Sequence, residues 1–224
     1  MTIDQFLMFL NGTDDPKQIA AILSASENFF LTMVLGSELE GRGTSLITTT
    51  GIDCLTIMQP GNDMLQAGQP VTKPFNSSVL KTTRMSPAIR LDALPSITLR
   101  LDDDTPVMVT TQLNGCTLVF QRSSLVCPYV KIVHLMPETP KQPNAGEQLN
   151  RQLLAANPRF AGEDAATAMF GRLNMGNRAA NANVIALRRK RQWTLYAQLV
   201  GPKQVGAKQT VIGVQYLPMY TPTA

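Results

Sequence analysis

The chain is poor in the residues that carry most protein chemistry. Its 224 residues include one histidine, His134, and three cysteines, Cys54, Cys116 and Cys127. No two cysteines form a CxxC pair, and a lone imidazole does not build a zinc site, so neither a metal nor another cofactor is expected. An odd, small number of cysteines in a chain this long argues against a disulfide framework and leaves at least one thiol free. Gly-rich phosphate loops of the GxxxxGK[ST] or GxGxxG type are missing too. There is no uncharged apolar run of about 18 residues, so no membrane-spanning helix is expected. The start, "MTIDQFLMFLNGTDD", has no basic residue ahead of its short apolar stretch and does not read as a secretory signal. Charged residues make up only 16%, which excludes a disordered charged tail, and a net charge of +4 is too small to point to nucleic acid.

Apolar residues, by contrast, are plentiful. At 44% of the chain they suffice for a sizeable core, and the length suits one domain over residues 1–224. "DDPKQIAAILSASENFFLTMVLGSELEGRG" holds the clearest helical pattern. Asp15 is placed to cap it, Pro16 suits its first position, and Ile19, Ile22, Leu23, Phe29, Phe30 and Met33 recur at roughly helical spacing. After Gly43 the texture changes. "TSLITTT", "DCLTIMQ", "AIRLDAL", "SITLRLDD", "VMVTTQL", "CTLVFQ" and "YVKIVHLM" are short, rich in β-branched residues, and read as mostly antiparallel strands. "AGEQLNRQLLAAN" and "GEDAATAMFGRL" read as two helices. "NVIALRRKRQWTLYAQLVG" and "TVIGVQYLPMY" return to strand, with a hairpin loop at "GPKQVGAKQ". The pattern is α+β: a mostly antiparallel β-sandwich flanked by helices.

Within the strand run, "TTQLNGC" is followed 18 residues after its cysteine by the histidine of "VKIVHLMP". A free cysteine usually packs as a small apolar residue, and Cys54 and Cys127 keep that reading. Cys116 differs. Gly115 lets the backbone turn tightly beside it, and N–H groups near such a turn can meet an oxyanion. His134 has no rival as the base that would activate the thiol, and the spacing suits a strand, a loop and a neighbouring antiparallel strand. An imidazole base also needs a partner on its second nitrogen. Thr110, six residues ahead of Cys116 on the same strand, is one candidate; Thr111 and Gln112 are others.

These residues resemble the pattern of the Burkholderia lethal factor-like glutamine deamidase toxins. That family is related to the catalytic domain of the cytotoxic necrotising factors and to the chemoreceptor deamidases. The family's nucleophile motif, Leu-Ser-Gly-Cys, falls here on Leu113-Asn114-Gly115-Cys116, with Asn114 in place of serine. Its threonine falls on Thr110 and its histidine on His134, and the last strands are similar in character. The loop between cysteine and histidine is longer here. The resemblance implies a cytotoxic necrotising factor catalytic-domain-like fold. It implies a Cys116–His134 deamidase with Thr110 holding the imidazole and the Asn114–Gly115 turn shaping the oxyanion site. The implied substrate is a host protein, with a DEAD-box helicase of translation initiation as the candidate target. A monomer made in the bacterial cytoplasm and acting in the host cytosol is expected.

Two other readings stand beside this one. The same dyad would serve a cysteine peptidase. Alternatively Arg188-Arg189-Lys190-Arg191, next to Trp193 and Tyr196, would form a basic patch with stacking aromatics in a non-enzymatic RNA- or protein-binding module; a solvated strand edge is the plainer account of those charges.

Overall fold

The computed structural model describes residues 5–6, 8–9, 12, 14–25, 30–33, 41–49, 55–58, 72–80, 82–84, 97–100, 106–122, 129–156, 167–189, 192–202 and 209–218. Helix α1 (Pro16–Ser24) starts as its sequence dictates. The Asp15 carboxylate accepts from the Lys17 N–H at 2.9 Å, and proline occupies the first turn. It ends where Ala25 turns extended. The helical spacing of Phe30 and Met33 does not prolong it. Phe30–Met33 is strand β1, paired in parallel with β3 (Leu55–Met58).

Among the described residues, eight strands form the larger sheet. Besides β1 and β3 these are β2 (Gly41–Thr49), β4 (Thr72–Leu80), β7 (Val107–Thr110), β11 (Asn181–Arg189), β12 (Gln192–Val200) and β13 (Val211–Pro218). Their order is β1-β3-β2-β4-β7-β11-β12-β13. The smaller sheet runs β10 (Thr167–Phe170), β8 (Thr117–Arg122), β9 (Tyr129–Met136), β5 (Thr82–Arg84). Strand β6 (Ile97–Arg100) also pairs with β9, so β5 and β6 bond different stretches of that strand. Most pairs are antiparallel; β1–β3, β4–β7 and β5–β9 are parallel.

Strand alternation sorts the core into layers. Met108, Val184, Ala186, Trp193 and Leu195 of the larger sheet meet Leu118, Phe120, Ile132 and Phe170 of the smaller one, forming the seam of a sandwich. The alternate residues Val107, Val109, Ile185, Leu187 and Tyr196 face outward, where Ile19 and Leu23 of α1, with Phe6 and Phe9, cover them. On the far side Val119, Val133, Leu135 and Met169 are covered by Leu149 and Leu153 of helix α2 (Ala145–Ala156). The layers are thus helix, sheet, sheet, helix. Each large apolar side chain buried in them contributes about 1.5–3 kcal/mol. Among the described residues no helix is long and apolar enough to cross a membrane.

Of the helix expected over "GEDAATAMFGRL", residues 162–166 lie outside the described set and the next four form strand β10. Thr167–Phe170 pairs with β8, sending Met169 to the outer cluster and Phe170 to the seam, and only α3 (Arg172–Met175) is helical. Pairing with β8 and the burial of Met169 and Phe170 outweigh the helical preference of Ala168. The strand expected at "AIRLDAL" lies outside the described residues.

Two strands leave the larger sheet for the smaller one at the same corner. β4 ends at Leu80 and β5 begins at Thr82; β7 ends at Thr110 and β8 begins at Thr117. Leu80 is the register partner of Thr110, and Thr82 is that of His134. A hydrogen bond of 2.9 Å between the Thr82 and Thr111 hydroxyls ties the two crossings together.

Candidate active site

The site is built where these crossings meet. Thr110 closes β7 on its inner face, and His134 stands on the inner face of β9, directly opposite Leu118 of β8. Both side chains are fully buried. The Thr110 hydroxyl and His134 Nδ1 are 2.6 Å apart, a hydrogen bond that spans the two sheets.

The direction of that bond follows from counting protons. A threonine hydroxyl has one hydrogen, and Thr110 donates it to the Leu80 carbonyl at 2.9 Å. Thr110 Oγ1 must then accept, so Nδ1 carries the ring proton and Nε2 carries the lone pair. Nε2 is buried and has no hydrogen-bond partner among the described residues, Cys116 included. Burial holds the imidazole neutral, pushing its pKa from 6.5 down to about 3.

Between β7 and β8 the chain keeps one foothold on the larger sheet. Leu113 exchanges two backbone hydrogen bonds with Ala182 of β11, at 2.8 and 3.0 Å. It then turns through Asn114 and Gly115. Gly115 has φ +83°, a left-handed conformation that glycine adopts without strain. Cys116 follows, half-buried and packed against the apolar seam. Cys116 immediately precedes Thr117, the first residue of β8 to pair with β9, and packs against the seam cluster that holds Leu118, the register partner of His134. Thiol and base therefore share one face but are not hydrogen-bonded in the resting protein. Burial pushes the thiol up from 9.0 to about 11, against the opposing pull of the Asn114 backbone N–H, which donates to the sulfur. At neutral pH both groups are uncharged.

Of the predicted set, Thr110 and His134 are in direct contact, while Cys116, Gly115 and Asn114 lie on the adjoining turn. The alternative orienting residues point elsewhere: Thr111 bonds Thr82, and Gln112 donates to Asn183 at 2.9 Å. Cys54 and Cys127 lie outside the described residues. The basic-patch reading loses its stacking surface, because Trp193 and Tyr196 are buried in the core. Arg189 is turned inward to the carbonyls of Phe9 and Arg188, and residues 190–191 lie outside the described set.

Sequence reasoning missed three contributors: the Leu80 carbonyl, Gly146 and Asn150. Gly146, in the first turn of α2, lies against Gly115 so closely that a Cβ there would sit 2.8 Å from the Gly115 Cα and carbonyl oxygen. One turn on, the fully buried Asn150 donates from Nδ2 to the Thr117 hydroxyl and accepts the Leu173 N–H at 2.9 Å. A polar Asn150 inside the buried stripe Ala145, Leu149, Leu153 was the available signal. No protein-family model and no curated protein matches the chain.

Proposed function

We propose that the chain is a cysteine-dependent protein glutamine deamidase of the lethal-factor-like kind. In this reading it is a bacterial toxin or effector that converts a host-protein glutamine to glutamate. The observation that carries the reading is the Thr110–His134 hydrogen bond across the sandwich. It joins two of the three motif residues and leaves the base nitrogen unpartnered on the face that Cys116 shares. A sandwich with helices on both outer faces is also what a cytotoxic necrotising factor catalytic-domain-like fold would require.

The chemistry follows from the two neutral groups. As the glutamine amide docks, Nε2 of His134 takes the thiol proton and the Cys116 sulfur attacks the amide carbon. The Asn114 N–H, already aimed at the sulfur, lies near the developing oxyanion. The carbon–nitrogen bond breaks, and the imidazolium gives its proton to the departing ammonia. Water then loses a proton to Nε2 and attacks the thioester carbon. The carbon–sulfur bond breaks, the thiol regains its proton and glutamate is released. Thr110 keeps Nδ1 protonated throughout.

The test is mass spectrometry of host proteins treated with the chain, beginning with a DEAD-box translation initiation helicase. Conversion of a glutamine to glutamate with ammonia release, lost in Cys116→Ser, is the expected result. Peptide fragments in place of deamidation would make the same dyad a peptidase. Substrate left intact across a host lysate would overturn the reading.

A further inference from the structure

Helix α2 touches the nucleophile segment twice. Gly146 packs backbone to backbone on Gly115, the residue before Cys116. Asn150 bonds the hydroxyl of Thr117, the residue after it. The two contacts are four residues apart on α2, so they lie on one face of the helix. Neither is interchangeable with an ordinary core contact. Any side chain at 146 would drive into the Gly115 backbone, and Asn150 is the buried polar member of an otherwise small and apolar stripe. The opposite edge of Asn150 accepts the Leu173 N–H, which fixes the amide's orientation: Oδ1 toward α3, Nδ2 toward Thr117.

We propose that α2 is a two-point clamp for the nucleophile, with Gly146 and Asn150 as positioning residues that hold Cys116 from both sides at the angle its attack needs. The proposal rests on Cys116 being the nucleophile of the reading above. What it adds is that neither α2 residue touches substrate, yet each acts on the chemistry through Cys116. The clamp also keeps the sulfur partly withdrawn into the seam, where the thiol remains protonated until substrate arrives.

Two readouts separate the clamp from the deamidase reading. The first is the rate of iodoacetamide alkylation at Cys116 in the folded protein, followed by peptide mapping from pH 6 to 11; it needs no substrate. The second is kcat against KM for glutamine deamidation. Thr117→Val removes one partner while keeping side-chain shape, and Thr117→Val with Asn150→Leu removes both, leaving only the Leu173 N–H without its acceptor. Released from the clamp, the thiol pKa moves from about 11 toward 9.0. Alkylation at pH 8 then rises by up to about a hundredfold. Turnover falls roughly tenfold or more with KM nearly unchanged, because a displaced nucleophile loses its aim. Thr117→Ser restores both. An alkylation profile unchanged in Thr117→Val and in the double variant overturns the clamp, whether or not deamidation is found. A changed profile without any deamidation shows that α2 holds the Cys116 turn but overturns the deamidase reading, and with it the clamp's role in attack.

Discussion

Two chain segments pass from the larger sheet to the smaller one at the same corner, and they do so very differently. β4 reaches β5 through a single residue, 81. β7 reaches β8 through the six residues 111–116. Since one residue suffices for the passage, the extra length of the second crossing is not demanded by topology. It holds the Leu113 foothold, the left-handed Gly115 and the half-buried thiol. The short crossing is pure scaffold: it brings the Leu80 carbonyl to Thr110 and Thr82 beside His134. His134 is thus fixed by the scaffold and Cys116 by the surplus, a division that leaves the thiol half-buried while the imidazole is fully buried.

This contrast can be broken by substitution. Cys116→Ser, at the end of the long crossing, should abolish turnover while leaving the thermal midpoint almost unchanged, measured by ammonia release and calorimetry. A large loss of stability there would mean the surplus is structural after all. His134→Asn keeps a donor toward Thr110 but has no base, and turnover should drop by about 10²–10⁴-fold.

The same substitution sharpens the scaffold side through pH. The folded imidazole resists protonation down to about 3, whereas the unfolded one takes a proton near 6.5. Its contribution to stability is therefore complete above about pH 6.5 and is lost as pH falls toward 3, with a slope of up to about 1.4 kcal/mol per pH unit. Urea unfolding between pH 7 and 4 should show that slope in the native chain and a shallower one in His134→Asn.

Thr110→Val should cost about 1–3 kcal/mol for each of the two groups it orphans, the Leu80 carbonyl and Nδ1–H, and should slow turnover as well. Thr110→Ser should recover most of both. Gly115→Ala, read by the same unfolding curves, should cost less stability than Thr110→Val. Its Cβ meets nothing closer than 3.9 Å, so only the strain of a left-handed alanine remains, about 1–2 kcal/mol.

Much of this was legible in the sequence, for reasons that can be named. Local rules act within a few residues, so the Asp15–Pro16 start of α1, the helix α2 and the antiparallel β12–β13 pair were readable. So were the order and spacing of Thr110, Cys116 and His134. Where two periods fit the same residues, the partner decided. Phe30 and Met33 suit a helix face until β3 offers a parallel edge, and Ala168 yields to β8. β4 was hidden by Pro74, Asn76, Ser77 and Ser78, none of which favours strand; neighbours on both sides, β2 and β7, impose it. The meeting of Gly146 with Gly115 and of Asn150 with Thr117 joins positions some thirty residues apart. No periodicity records such a contact, and it became visible only in three dimensions.

The ring's protonation pattern is decided, in the end, by a main-chain oxygen. Every side chain around His134 can be exchanged by mutation, but the carbonyl of residue 80 persists whatever side chain that residue bears. Position 110 is therefore restricted to a hydroxyl-bearing residue, while position 80 is free to vary among residues that fill the seam. A library randomised at both positions should return serine and threonine at the first and a range of apolar residues at the second.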